Sequence, residues 1–134
     1  MQKLIKLSVV FIIVLTFSSC SKSPHESASG EVAGAQIKIE YNSPSVRGRQ
    51  IFGELVAYGK LWRVGANAAT TFTTDKDITI EGEKLTAGTY ALFVIPMESG
   101  SWTLIFNSDH DRSGATIEGL SVAEYEQKNK ATDV

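Results

Sequence analysis

From Ala35 onward, apolar and polar positions alternate with a period close to two. Ile37, Ile39 and Tyr41 interleave with Lys38 and Glu40, which predicts a half-buried strand. Ile78 and Ile80 repeat the pattern, and Glu81-Gly82 then supplies a turn in which glycine is free to take positive φ. Thr89 to Ile95 (TYALFVI) is apolar at consecutive positions. That predicts a central strand covered on both faces and closed by Pro96. Ser101 to Phe106 (SWTLIF) is two-faced in the same way, and Ala69 to Thr74 (ATTFTT) is rich in β-branched residues. Glycines at 48, 53, 59 and 65 recur too often for a long helix. Short strands separated by glycine turns predict an all-β fold, an antiparallel β-sandwich of jelly-roll-like type. Ser121 to Lys130 reads as a short C-terminal helix, with Ser121 as N-cap and Glu124 at capping-box spacing. Trp62, Trp102, Phe52, Phe72, Phe93, Phe106 and Tyr90 are expected to supply much of the core. A fully buried large apolar side chain contributes about 1.5–3 kcal/mol.

The period is absent before Ala35. Lys3 and Lys6 precede an apolar run from Leu7 to Phe17, interrupted by Ser8 and Thr16, and Ser18-Ser19-Cys20 follows. A spanning helix needs about 18 or more apolar residues, so the run is too short to cross a bilayer comfortably. It fits an N-terminal signal helix over residues 1–19, with small residues at a cleavage point. Phe17-Ser18-Ser19-Cys20 resembles the lipobox of bacterial lipoproteins, with Phe17 where Leu is usual. The resemblance implies a diacylglycerol thioether on Cys20 and a membrane as partner through that anchor. Each buried methylene adds about 0.8 kcal/mol to such anchoring. Ser21, rather than aspartate, follows the cysteine. By analogy with lipoprotein sorting, this favours the outer membrane, on its periplasmic or surface face. Residues 20–34, rich in Ser, Gly and Ala, read as a flexible tether, which leaves 35–134 as the β-sandwich domain.

Composition narrows the classes further. At 134 residues there is room for one small domain. A net charge of −2 argues against a general nucleic-acid partner, which is more often basic. Cys20 is the single cysteine, so no internal disulfide can form.

Two groups of residues carry candidate chemistry. Arg47 and Arg49 are two apart, as are Tyr58, Lys60 and Trp62, with Arg63 and Asn67 close behind. Guanidinium forks suit carboxylate or phosphate, and an exposed aromatic ring offers a stacking face for a sugar. These seven residues are the ligand-binding candidates for a glycan or anionic ligand. The competing reading packs Trp62 and Tyr58 into the core, pairs the arginines with Asp75 and Asp77, and makes Asn67 a turn residue. An arginine-lined cleft beside an accessible Trp62 would favour the first reading. A buried Trp62 with no cavity would favour the second. Asn107, Asp109, Asp111 and Glu118 fall at positions one, three, five and twelve of a calcium loop. Arg112, however, stands where that loop needs glycine, and the competing reading is a polar surface loop. The site expectation is therefore no metal, with those four as the only candidates.

No catalytic residues are expected. His25 lies in the tether, so His110 alone remains as a base that titrates near neutrality. No serine sits in a nucleophile elbow, and no phosphate-cradling glycine loop ends in GK[ST]. No cofactor is expected either.

The motifs SPSVRGR, YGKLWRVGAN, AGTYALFVIP and WTLIFN, within residues 43–107, closely resemble the bacterial family called domain of unknown function 2911. The resemblance implies a secreted or lipidated protein of Bacteroidetes-type bacteria and supplies no activity. This chain has Ala68 where the family usually has glutamate after GAN. Members usually continue through further strands, so a C-terminally truncated chain is expected. The expected function is a lipid-anchored cell-envelope binding or structural module. The alternative is a glycan- or anionic-ligand-binding accessory protein or a carbohydrate-related enzyme.

Overall fold

A computed structural model describes residues 23–110 together with Ser121, Ala123 and Glu124. The described strands are β1 (His25–Val32), β2 (Ala35–Asn42), β3 (Trp62–Arg63), β4 (Thr71–Thr74), β5 (Ile78–Ile80), β6 (Glu83–Leu85), β7 (Gly88–Ile95) and β8 (Thr103–Asn107). All strand pairings are antiparallel, so the fold is all-β as the alternation predicts. Six strands form one sheet, and β5 and β6 form a second.

β7 is the centre of the large sheet. One edge pairs with β4 over Gly88–Ala91 and then with β3 at Phe93 and Val94. The other edge pairs with β8 from Ala91 to Ile95. Beyond β4 the sheet continues through β2 to β1. Directly paired residues share a face. Ile39, Phe72 and Tyr90 are therefore in line on one face, where Leu92 pairs with Phe106. Phe106 meets Phe72 edge-on at 5.3 Å between ring centroids, and Tyr90 at 6.2 Å. The opposite face carries the most deeply buried cluster, Leu61, Ala69, Ala91, Phe93 and Ile95, with Ile105 packed against it. TYALFVI lacks polar alternation because both of its faces are covered.

Two expectations differ from what is observed. Residues 25–32 of the expected tether form β1, paired along their length with β2. Every side chain of β1 is exposed, so no hydrophobic period could mark it. Backbone hydrogen bonds hold it, and the Ala33-Gly34 turn, at φ 49° and 79°, sets its register. Trp102 and Phe52 are not core residues, since each is 46% exposed. They meet edge to face at 4.9 Å, and the indole N–H of Trp102 donates to the Met97 carbonyl at 3.0 Å. An amphipathic indole with its N–H satisfied is stable at such a surface position. The smaller sheet is a single hairpin, and its turn is the expected Glu81-Gly82, at φ 49° and 89°.

The expected signal segment and Cys20 lie outside the described residues, as does most of the expected C-terminal helix. Its N-terminal signature is observed. Glu124 Oε2 accepts from the Ser121 N–H at 2.7 Å and from the Ser121 hydroxyl at 2.6 Å. The Glu124 N–H points back to Ser121 Oγ at 3.4 Å. Among the described residues, no helix is long and apolar enough to cross a membrane.

This burial ranks two aromatic substitutions. Phe93→Ala removes a ring that is 1% exposed and is expected to cost about 3–5 kcal/mol. Trp102→Ala is expected to cost less, because the indole is 46% exposed and leaves little buried space behind. Urea-unfolding midpoints of the two variants check the order.

Candidate functional site

The long segment between β2 and β3 is irregular because turns interrupt it, yet backbone bonds pin it to the sheet. Ser43 N–H donates to the Pro24 carbonyl at 2.9 Å, and Gly59 N–H to the Pro96 carbonyl at 2.8 Å. Between these anchors the chain folds back on itself. Gly53 N–H bonds to Val56 O at 2.9 Å and Val56 N–H to Ile51 O at 2.8 Å, which buries Val56. Arg47 takes φ 52° at the turn that precedes Arg49. The Arg49 guanidinium is held by its own loop, with Nε donating to Val46 O at 3.1 Å and Nη2 to Ser45 O at 2.9 Å. Two carbonyls thus fix the plane of that guanidinium before any ligand arrives.

A second tight segment joins β3 to β4. The Thr70 amide and hydroxyl both donate to the Val64 carbonyl, at 3.0 and 2.9 Å. Ala66 N–H reaches across to Asn42 O at 3.0 Å. Asn67 sits at φ 62°, a left-handed conformation that asparagine tolerates. Gly65 takes φ 90° with so little space that an added Cβ would lie 2.8 Å from Thr70 Oγ1 and 3.3 Å from the Asn42 carbonyl.

The two segments enclose a cleft of about 560 Å³. Arg47, Arg49, Trp62, Arg63 and Asn67 all line it, with apolar walls that include Ile51, Phe52 and Leu55. Five of the seven ligand-binding candidates are thus brought together. Its described lining holds three arginines and no acid. Trp62 is half-buried rather than enclosed. Among the described residues, the Arg63 Nε is buried with no hydrogen-bond partner. An unsatisfied buried donor costs about 1–3 kcal/mol and more for a charged group, so a ligand oxygen that reached this N–H would relieve that cost.

The remaining two candidates lie elsewhere. Tyr58 packs its ring edge over Gly53, 3.1 Å from where a Cβ would stand. Lys60 lies towards Glu124, whose carboxyl is held below its ordinary pKa by the Ser121 hydroxyl, by the Ser121 amide and, more distantly, by the Lys60 charge. Asp75 and Asp77 have other partners than the competing reading expected. Asp75 Oδ1 accepts the Gln36 N–H at 2.7 Å. Asp77 pairs with Lys84 at 2.8 Å and accepts the Ala87 N–H at 2.9 Å, and both contacts lower its pKa, Lys84 first. Asn67 is a turn residue, as that reading held, and also lines the cleft.

Sequence inspection missed the residues that support the site. The Ser45 and Val46 carbonyls that hold Arg49 leave no trace in residue type. Gly65 was visible beside Arg63 and Asn67, but its residue type does not show how little space surrounds it. In the candidate calcium loop, Asn107 Oδ1 accepts the Asp109 N–H at 2.8 Å, which closes a local turn. Asp111 and Glu118 lie outside the described residues. Among the described residues no cluster of His, Cys, Asp and Glu could hold a metal ion.

A family model described as "Protein of unknown function (DUF2911)" matches residues 23–134. No curated protein and no solved structure matches the chain. The family match begins before β1 and takes in the whole cleft.

Gly65→Ala adds both a clash and left-handed strain. It is expected to lower stability by about 2 kcal/mol or more, and to weaken the cleft's geometry with it. Thermal melting checks the first expectation, and the near-ultraviolet circular dichroism of Trp62 checks the second.

Proposed function

The chain belongs to the DUF2911 family, whose description carries no activity, and from its own cleft we propose that it is a binding module for an anionic ligand at the cell envelope. The observation that carries this is the convergence of Arg47, Arg49 and Arg63 on one cavity whose described lining has no acid. The whole chain carries a net charge of −2, so this positive cleft is a local exception that the fold assembles. Charges of one sign gathered along a cleft attract counter-charge more strongly than the same charges spread over a surface. Arginine forks bind carboxylate, sulfate or phosphate with two parallel hydrogen bonds. Trp62 in the same wall adds an aromatic surface, so a sugar bearing an acidic group fits both features. The apolar walls of Ile51, Phe52 and Leu55 suit the carbon skeleton of such a ligand.

The export reading supplies the setting. Cys20 is the lipidation site, the tether is confined to the few residues between it and β1, and the outer membrane is the proposed location. With β1 beginning at His25, the domain stands close to its anchor.

Calorimetric titration of the full chain with phosphate, sulfate, glucuronate and glucose tests the cleft, with tryptophan emission followed in parallel. An acidic member of the panel is expected to bind more tightly than glucose. Its affinity is expected to fall about tenfold in Arg47→Ala and to weaken with added salt. Absence of heat and of an emission change across the panel would refute the reading. Separately, Cys20→Ala is expected to move the protein from the membrane fraction to the soluble fraction on cell fractionation, and unchanged partitioning would refute the lipid anchor.

A further inference from the structure

We propose that β1 pairs with β1 of a second copy of this chain, joining the two large sheets edge to edge about a symmetry axis at Ala28.

β1 ends the large sheet and, among the described residues, pairs with β2 alone. In an antiparallel pair, successive residues point their backbone groups alternately toward the partner strand and away from it. The Ser43 N–H donates to the Pro24 carbonyl at 2.9 Å, so Pro24 and the even-numbered residues of β1 are the ones that bond β2. The Ala33-Gly34 turn, closed by the Val32–Ala35 pair, keeps the same phase. The N–H and C=O groups of His25, Ser27, Ser29 and Glu31 therefore face outward. β1 contains neither proline nor lysine, and its register with β2 is unbroken. These are the common devices that block a sheet edge, and β1 uses none of them.

Self-complementarity selects the occupant. Outward groups of one strand bond only outward groups of the other. The antiparallel register centred on Ala28 is the one that engages all of them. It sets His25 opposite Glu31 of the second copy, Ser27 opposite its Ser29, and Ala28 opposite its Ala28. Symmetry makes the His25–Glu31 contact twice. An imidazole N–H donates to a carboxylate whether the ring is neutral or charged, so both contacts are attractive. Glu31 Oε2 accepts from the Gln36 side chain at 3.0 Å, which holds the carboxylate over this face. Glu40, diagonal to His25 on the same face, is engaged by Lys38 at 2.8 Å. On the other face Glu26, held by the Tyr41 hydroxyl at 3.0 Å, falls opposite Gly30 of the second copy. No like charges are directly opposed. A slip of one residue would set Glu26 against Glu31, and it is excluded because it matches outward groups with inward ones. Ala28 and Val32 also line a shallow apolar recess with Ile37 and Ile39, and the axis at Ala28 sets two such recesses side by side. An arbitrary extended peptide lacks this spacing of opposite charges about a small central residue. The pairing uses the free β1 edge of both copies, so assembly through it stops at a dimer.

The full chain carrying Cys20→Ser, which removes its single thiol, provides the test. Sedimentation equilibrium up to about 1 mM is expected to show a reversible monomer–dimer equilibrium. Across the axis, the Cα atoms at Ala28 would be about 4.5 Å apart, within disulfide range, and those at Gly30 about 13–14 Å apart, beyond it. Added to that chain, Ala28→Cys is expected to cross-link into dimers about tenfold faster, or more, than Gly30→Cys under mild oxidation. An added Cβ at Gly30 meets nothing within 4 Å, so the control substitution fits the fold. Ser29→Pro removes an outward N–H and spares the bonds to β2. By symmetry it deletes a pair of intermolecular bonds, so it is expected to weaken the dimer about tenfold or more. The far-ultraviolet circular dichroism of the dilute monomer is expected to stay unchanged. His25→Glu, which sets acid against Glu31, is expected to weaken the dimer likewise should Ser29→Pro fail to fold. Three results would overturn the proposal. The first is a monomer at every concentration, which would leave the edge to another partner. The second is Gly30→Cys cross-linking as fast as Ala28→Cys, which would assign the contact to another surface or register. The third is a dimer that the folded edge variants leave intact.

Discussion

The structure depends on β7 being buried on both faces and hydrogen-bonded along both edges. Its eight residues pair with β4 and β3 on one side and with β8 on the other. Phe93 and Ile95 point into one apolar cluster, and Tyr90 and Leu92 into the aromatic group of the opposite face. A strand in this position fixes everything that pairs with it, because a slip of one residue would exchange the two faces. It also anchors the irregular parts. The Leu92 N–H and carbonyl bond Thr70 and Val64, at the two ends of the tight segment that carries Asn67. The Pro96 carbonyl, just past β7, holds the end of the long loop.

The arginine cleft is an outcome of that anchoring. Arg47 and Arg49 belong to one loop; Arg63 ends β3, more than a dozen residues later, and Asn67 follows it. They meet because the short β3 pairs with the upper half of β7 and the loop is tied at both ends. The same ties set Arg49's guanidinium against two backbone carbonyls and leave the Arg63 Nε without a partner. An unsatisfied buried donor is kept in a fold when the surrounding structure over-determines it, and such features gather at functional sites. The cleft is a concavity formed where loops meet the large sheet.

Much of the strand content was legible in the residues. Where one face is buried, alternation marks the strand, as in Ile37, Ile39 and Tyr41; where both are buried, an unbroken apolar run marks it, as in TYALFVI. β1 was not legible because its side chains bury nothing, and its order comes from backbone bonding that any residue type can make. Trp102 and Phe52 misled because aromatic character signals a large apolar area but not where that area goes. Arg47, Arg49, Trp62, Arg63 and Asn67 were legible as residue types suited to one chemistry. Tyr58 and Lys60 were grouped with them by spacing, which holds only along a continuous strand, and the turns at Gly53 and Gly59 break it.

Periodicity, turn residues and charge by themselves determined the all-β class, the central strand, the capping pair Ser121 and Glu124, and an inventory of candidate ligand groups. These are local properties, set by which neighbours along the chain a side chain must resemble. Tertiary structure alone decided which arginines share a cavity, that the acids Asp75 and Asp77 are engaged elsewhere, and that β1 ends the large sheet. Those facts depend on distances between residues far apart in the chain. Such distances follow from strand register and loop anchoring, and no single segment contains them.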